Sequence, residues 1–403
     1  MVNQRKDCRF CFNYQKKICA FHLRILRTCK VILSMKELTL KKNTKPAYAN
    51  SDDFLLFKDF RNKVNGIVEK SPKRKNIMLL KVILFPLLYV LAYAAALVFG
   101  NNIAVLYGSY FFMGILIVLN FLNLIHDAVH GTIFRSKTAN KTCVYFFDLL
   151  GANSYVWKIR HVRFHHNYPN VNGWDTDIEQ SPLARIYPTG SFSKFHKYQH
   201  IYLPFLYPFY LPNWLLVRDF KDFFKKNNII HKLIQIPRIE YIKLFFFKLF
   251  FLFYMLFIPK VILSITWPQT ILAFVIFLFT ASIFSLIVLL SPHANVENVF
   301  PEPDAKNRLP FGWMMHILQT TNDVNHDSFF TRFFMGSFNF HVAHHLFPNV
   351  SHVYYPEITR ELANFAKANK LPYRSYPLST SLKNHYMLLK KNRMEENIFE
   401  EAM

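Results

Sequence analysis

The sequence predicts an all-α integral membrane protein, four transmembrane helices in two hairpins that carry a cytoplasmic helical cap. Composition is the first reason. The 403 residues are 52% hydrophobic and include 44 Phe and 21 Tyr, which points to a polytopic membrane protein rather than two or three soluble domains. The second is that the apolar runs come in two closely spaced pairs, each run long enough to cross a hydrocarbon core of about 30 Å at 1.5 Å per residue. The third is that three clusters of histidine follow these runs at what topology makes one side of the membrane.

Residues 1–34 form a basic leader with Cys8, Cys11, Cys19 and Cys29. Cys8 and Cys11 make a C-x-x-C pair, but the later spacings complete no four-ligand zinc pattern. The leader has no long apolar core or cleavage site, so it does not read as a secretory signal. It reads as an over-extended start, with Met35 opening a cytoplasmic segment over residues 35–75. The main domain is expected over residues 76–391, with a tail over 392–403. Its spans are expected at about 76–100, with Lys81 near the start, and at 103–125 after the tight turn Gly100-Asn101-Asn102. The second hairpin is expected at 241–264, where Lys243, Lys248 and Lys260 lie near the ends and can snorkel, and at 271–290. Trp267 and Pro268 then fall in the linker as an interfacial aromatic in a turn. The apolar stretch Tyr198–Val217 is interrupted by Pro204, Pro208 and Pro212, so it is expected to lie in the interface or re-enter rather than span. Cys143 is a lone thiol, and no disulfide framework is implied.

A net charge of +24 raises nucleic acid as a partner, and its distribution argues against one. Neither short linker holds a Lys or Arg, while the N-terminal, central and C-terminal regions are rich in both. By the positive-inside rule those regions, and both termini, face the cytoplasm, where their charge suits an anionic membrane surface.

The histidine clusters are His126-Asp127-Ala128-Val129-His130, His161-Val162-Arg163-Phe164-His165-His166 and His341-Val342-Ala343-His344-His345. Residues three or four apart share a helix face, so each cluster can aim two or three ring nitrogens at one point. Neutral imidazole is the commonest protein ligand for transition metals. One such pair on a helix would more often be a solvated face. Eight imidazoles on one side of one membrane exceed the three or four ligands of a zinc ion, and the economical reading is a dimetal site in the cap. Ligand type alone leaves iron, copper, nickel and zinc open. If Tyr198–Val217 crossed the membrane, the third cluster would face away from the second.

The stretches HDAVHGTIF, HVRFHHNYPNVNGWDTDIE and FNFHVAHHLFPNVSHVYYPEI resemble the three histidine boxes of the membrane fatty acid desaturases, in particular a bacterial acyl-lipid and linoleoyl-CoA desaturase-like branch. The similarity runs from about Lys58 to about Lys391. It implies a di-iron enzyme that uses dioxygen and two electrons to place a cis double bond in an acyl chain carried on lipid or CoA. It also implies that His126, His130, His161, His165, His166, His341, His344 and His345 bind iron. The resemblance adds a ligand at the cytoplasmic end of the fourth span, which here is His293. Glu297, four residues on, is expected either as a further ligand or as an acceptor that orients a histidine. Front-end desaturases of the wider group often carry Gln as the first residue of the third box. His341 stands there instead, which leaves metal binding intact and does not support a front-end position.

Asp127, Asp175, Asp177 and Glu179 are candidates to hydrogen-bond ligand imidazoles. His316, His326 and His352 flank the ligand regions as either orienting or packing residues, and His22, His196, His200, His231 and His385 are expected at the surface or interface. No His-Pro-Gly-Gly haem segment and no Gly-rich nucleotide fingerprint is present, so electrons are expected from a separate donor, ferredoxin or cytochrome b5 with its reductase. The competing readings are a hydroxylase or epoxygenase on the same scaffold, a membrane zinc lipid hydrolase, and a metal carrier. Nine histidines are too many for the hydrolase, and the spans hold too few polar groups for the carrier.

Overall fold

The computed structural model describes residues 45–394 apart from 50–52, 73, 180 and 227. The leader with its four cysteines and His22, and most of the tail, lie outside the described residues. Among the described residues, four helices are long and apolar enough to cross a membrane: Arg74–Phe99, Ile103–Val129, Arg238–Ile262 and Trp267–Leu289. At 1.5 Å per residue each is roughly 35–40 Å long. The bounds sit within a few residues of those expected, except that the second continues as one rod into the first histidine cluster. Trp267 and Pro268 are not in a turn. They open the fourth helix, where Thr266 and Gln269 form a capping box and proline suits the first turn.

Close contacts fix how the hairpins meet. A Cβ on Gly114 would lie 2.7 Å from the Phe277 carbonyl oxygen and 2.9 Å from Thr280, so the second and fourth helices cross on glycine, the usual device for close approach in lipid. The two outer turns are tied together, the Ser264 N–H donating to Asn101 Oδ1 at 2.7 Å. The lysines near the helix starts do not all reach water. Lys248 is buried and donates to Asp219 Oδ2 at 2.6 Å, while Lys243 pairs with Glu240 at 2.9 Å. Lys81 is also buried and donates to Asn123 Oδ1 at 3.0 Å, the Arg332 carbonyl at 2.7 Å and His352 Nε2 at 2.9 Å. It joins the first two spans to the segments on either side of the third cluster.

The stretch 198–217 folds as a broken helix on the fourth span, with the Leu211 N–H donating to Ser282 Oγ at 3.0 Å. Its exposed face carries Ile201, Phe205 and Phe209. The remaining cap consists of short helices and loops, with the amphipathic helices Asp53–Lys70 and Tyr355–Ala368 packed around Phe60, Ile358, Leu362 and Phe365.

Candidate metal centre

Local helix geometry sorts the histidines. Each of the first two clusters adjoins or lies in a π-turn, at Phe121–Ile125 and Ile159–His165. Such turns insert a residue into a helical turn and recur at functional sites. In an α-helix at about 100° per residue, His166 would point about 140° away from His161. At about 4.4 residues per turn the separation falls to roughly 50°. The π register is visible in the His166 N–H, which donates to the His161 carbonyl at 3.0 Å. In the short α-helix His341–Leu346, His341 and His345 share one face and His344 turns from it.

Among the described residues the result is two all-histidine groups, His126, His130, His161, His166 and His344 in one and His165, His293, His341 and His345 in the other, with each group's ligand atoms within 4.8 Å of one another. In the first, His161 Nε2 lies 3.1 Å from the Nε2 atoms of His126, His130 and His166. In the second, His293 Nε2 lies 2.9 Å from those of His345 and His341. His161 and His165 donate their Nδ1 protons to Asp177 at 3.0 Å and Asp175 at 2.9 Å, so their Nε2 lone pairs point inward. The His344 Nδ1 meets Tyr355 Oη at 3.2 Å, and His293 Nδ1 the Thr320 carbonyl at 3.3 Å. Burial first, then neighbouring imidazoles, hold His166, His293, His341, His344 and His345 well below the usual histidine pKa. Neutral nitrogens crowded lone pair to lone pair make poor hydrogen-bond networks and good cation sites. The donor set therefore fits two metal ions with imidazole ligands.

Several expected residues stand elsewhere. Glu297 is exposed and outside both groups. Asp127 does not reach a grouped imidazole; it takes Ser351 Oγ at 2.9 Å and faces His352 Nδ1 at 3.0 Å. His316 is buried on the Pro169 carbonyl at 2.9 Å, and His326 and Glu179 are exposed. His196, His200 and His385 are buried, against the expectation of surface positions, because the cap folds over them. His385 lies between the Ala294 carbonyl and Tyr207 Oη, each at 2.8 Å. Sequence reasoning missed Tyr355, and it missed the buried Arg160, which donates to Asp222 at 2.6 Å and whose Nε is 3.9 Å from Asp177. No local spacing marks either residue.

Five of the grouped histidines, His126, His161, His165, His293 and His341, line a cavity of about 360 Å³ whose other walls are mostly apolar. Trp157, Tyr210, Trp214, Leu286 and Leu289 are among them, with Leu203, Leu206 and Leu389. That size and lining suit a small or chain-like apolar ligand.

A family profile described as fatty acid desaturase matches residues 101–377. An acyl-lipid (8-3)-desaturase of Physcomitrium patens is 29% identical over 361 residues, 87% of this chain and 74% of that protein. An sn-1 linoleoyl-lipid 6-desaturase of Arthrospira platensis is 27% identical over 346 residues, 83% of this chain and 91% of that protein. An acyl-lipid (8-3)-desaturase B of Dictyostelium discoideum is 31% identical over 283 residues, 67% of this chain and 60% of that protein. Four membrane-length helices, two histidine groups on an apolar cavity and a profile match over most of its length agree, and the chain belongs to the fatty acid desaturase family, as a membrane oxidoreductase that desaturates fatty acyl chains.

Proposed function

We propose that the chain is a di-iron, dioxygen-dependent acyl-lipid desaturase whose histidine groups and termini face the cytoplasm and whose electrons come from a separate carrier protein. The observation that carries this is the opening of both histidine groups onto one apolar cavity. The metal ligands are His126, His130, His161, His166 and His344 for one iron and His165, His293, His341 and His345 for the other. When bound, the two irons supply the oxygen-activating power that unactivated C–H bonds demand. The balance is two hydrogens from adjacent methylenes and two electrons from the carrier, with two protons, reducing dioxygen to two waters. Asp175 and Asp177 hold His165 and His161 in the tautomer that presents Nε2 and raise ligand basicity. Trp157, Trp214 and Leu286 exclude water and hold the chain so that slot geometry chooses the carbon attacked. A lipid-borne substrate is supported by the names of the relatives, acyl-lipid and linoleoyl-lipid desaturases. Cytoplasmic orientation is supported by the basic loops.

The test is expression in a host of known lipid composition, with new double bonds located by mass spectrometry and iron measured on the purified protein. About two irons per chain and a new cis double bond in membrane lipid are expected. A hydroxylated or epoxidised product, or one zinc with oxygen-independent turnover, would refute the proposal.

A further inference from the structure

Of the grouped histidines, His130 is the one that is not fully buried. The chain that follows it carries an unusual run of surface charge. From Gly131 to Asn167 every exposed charged side chain is basic: Arg135, Lys137, Lys141, Lys158 and Arg163. The single acid in that stretch, Asp148, is buried. None of the five forms an ion pair among the described residues. Two elements bring them together. The helix Lys137–Val144 packs against the His126–Val129 helix, and Lys158 and Arg163 project from the helical stretch Ser154–His165 that also carries His161. Burial, then the nearby charges of Lys141 and Arg163, lower the pKa of Lys158, and His130 lies in the field of Lys158.

We infer that the basic face of Lys141, Lys158 and Arg163 around the rim of His130 is the docking surface for an acidic one-electron carrier protein. Two features favour a protein over lipid headgroups. Leu149 is the one large apolar side chain exposed between residues 131 and 167, whereas the broken helix exposes Tyr198, Ile201, Phe205 and Phe209, so the membrane-seeking surface of the cap is elsewhere. The basic face also lies beside the one proposed iron ligand that is not fully buried, His130, which Lys158 reaches electrostatically. Single-sign patches of this kind raise encounter rates and orient partners. Because two electrons are used per double bond, a one-electron carrier docks, leaves oxidised and is replaced once in each turnover.

This inference rests on the proposed function, and the experiment separates the two. Holoenzyme in lipid vesicles is driven by reduced ferredoxin, by the reduced soluble domain of cytochrome b5, or by dithionite with a small mediator that needs no docking. For Lys141→Glu/Lys158→Glu, the KM for the carrier that supports wild-type turnover is expected to rise about tenfold or more at low ionic strength. The difference should fade at high salt as surface charge is screened. Mediator-driven turnover should stay at the wild-type rate, Lys141→Arg/Lys158→Arg should restore the carrier KM, and Lys367→Glu/Lys370→Glu, exposed at and just past the end of the helix Tyr355–Ala368, should leave it unchanged. An unaltered carrier KM in the charge-reversed variant would overturn the inference. So would wild-type turnover with the mediator and with neither carrier, or a loss in the variant seen only when the vesicles contain anionic lipid. Absence of wild-type turnover with every electron source would instead sink the proposed function.

Discussion

Replacing Asp175 with Asn changes one charge at the point where the cap grips His165. Asp175 is fully buried. Its Oδ1 takes the His165 Nδ1 proton at 2.9 Å and the N–H groups of Asp177 and Ile178 at 3.1 and 3.3 Å, while Oδ2 takes the Asn170 N–H at 2.9 Å. Every one of those partners is a donor. An asparagine amide has one acceptor oxygen, so its NH₂ must face either the Asn170 N–H or the His165 side, and a buried donor is left without an acceptor at a cost of about 1–3 kcal/mol. Loss of a carboxylate behind a ligand imidazole typically weakens metal binding 10- to 100-fold, or about 1.4–2.8 kcal/mol. The assay is iron retained per chain after timed exposure to a chelator, beside the thermal unfolding of the same preparation. Asp175→Asn should release iron from one of two sites at least about tenfold faster, and Glu297→Gln, altering an exposed side chain, should match the wild type. Superimposable release curves for Asp175→Asn and wild type would refute the assignment of Asp175 as the support of a metal ligand.

Four other outcomes are expected. His165→Ala or His344→Ala should abolish turnover while membrane insertion persists, and wild-type-like product from either purified variant would sink the ligand assignment. Arg160→Met leaves Asp222 buried without its 2.6 Å partner and should cost about 3–5 kcal/mol, read as a lowered unfolding midpoint; an unchanged midpoint contradicts that accounting. Leu286→Trp narrows the apolar cavity that Leu286 lines, so turnover of the longest acyl chains should fall relative to shorter ones by about tenfold, with a uniform loss across lengths counting against the slot. His385 and His316 are each lowered from 6.5 to about 4, chiefly by burial. The unfolded state then binds more protons between those values, so stability present above pH 6.5 is lost as pH falls toward 4. The slope per histidine is at most about 1.4 kcal/mol per pH unit, and His385→Gln should flatten it in pH-dependent denaturation.

The sequence made legible what is periodic or local. Apolar runs in pairs gave the hairpins, and clustered imidazoles gave eight of the nine grouped histidines, with family resemblance supplying His293. The sorting of those histidines into groups of five and four was not legible, because it depends on π-turns. A residue added to a turn leaves no mark in composition, yet it swings His166 toward His161 while His165 serves the other group. Lys248, expected to snorkel, is buried for a related reason. Lys81, Lys248 and Arg160 look like end-of-helix or loop charges, and their partners His352, Asp219 and Asp222 lie 271, 29 and 62 residues away. Tertiary contact alone decides that such a charge is buried rather than snorkelling.

That burial separates the contacts that hold the histidines from those that shape the rest of the cavity. Lys81 ties both helices of the first hairpin to His352, and His352 faces Asp127, the neighbour of His126. Arg160 and Arg218 lie over the Trp214 ring and beside Asp177, which holds His161. Removing one member of such a set strands another charge away from water, so the histidines are fixed by contacts that tolerate little change. Another part of the cavity lining is built differently. Leu203, Leu206, Phe209 and Tyr210 line it from a helix broken around three prolines, and a single side-chain exchange there alters the slot's shape without uncovering a charge. Altered chain-length preference should therefore arise from substitutions in that lining at little cost in stability. Substitutions among Asp177, Arg160 and Asp222 should lose iron and fold together.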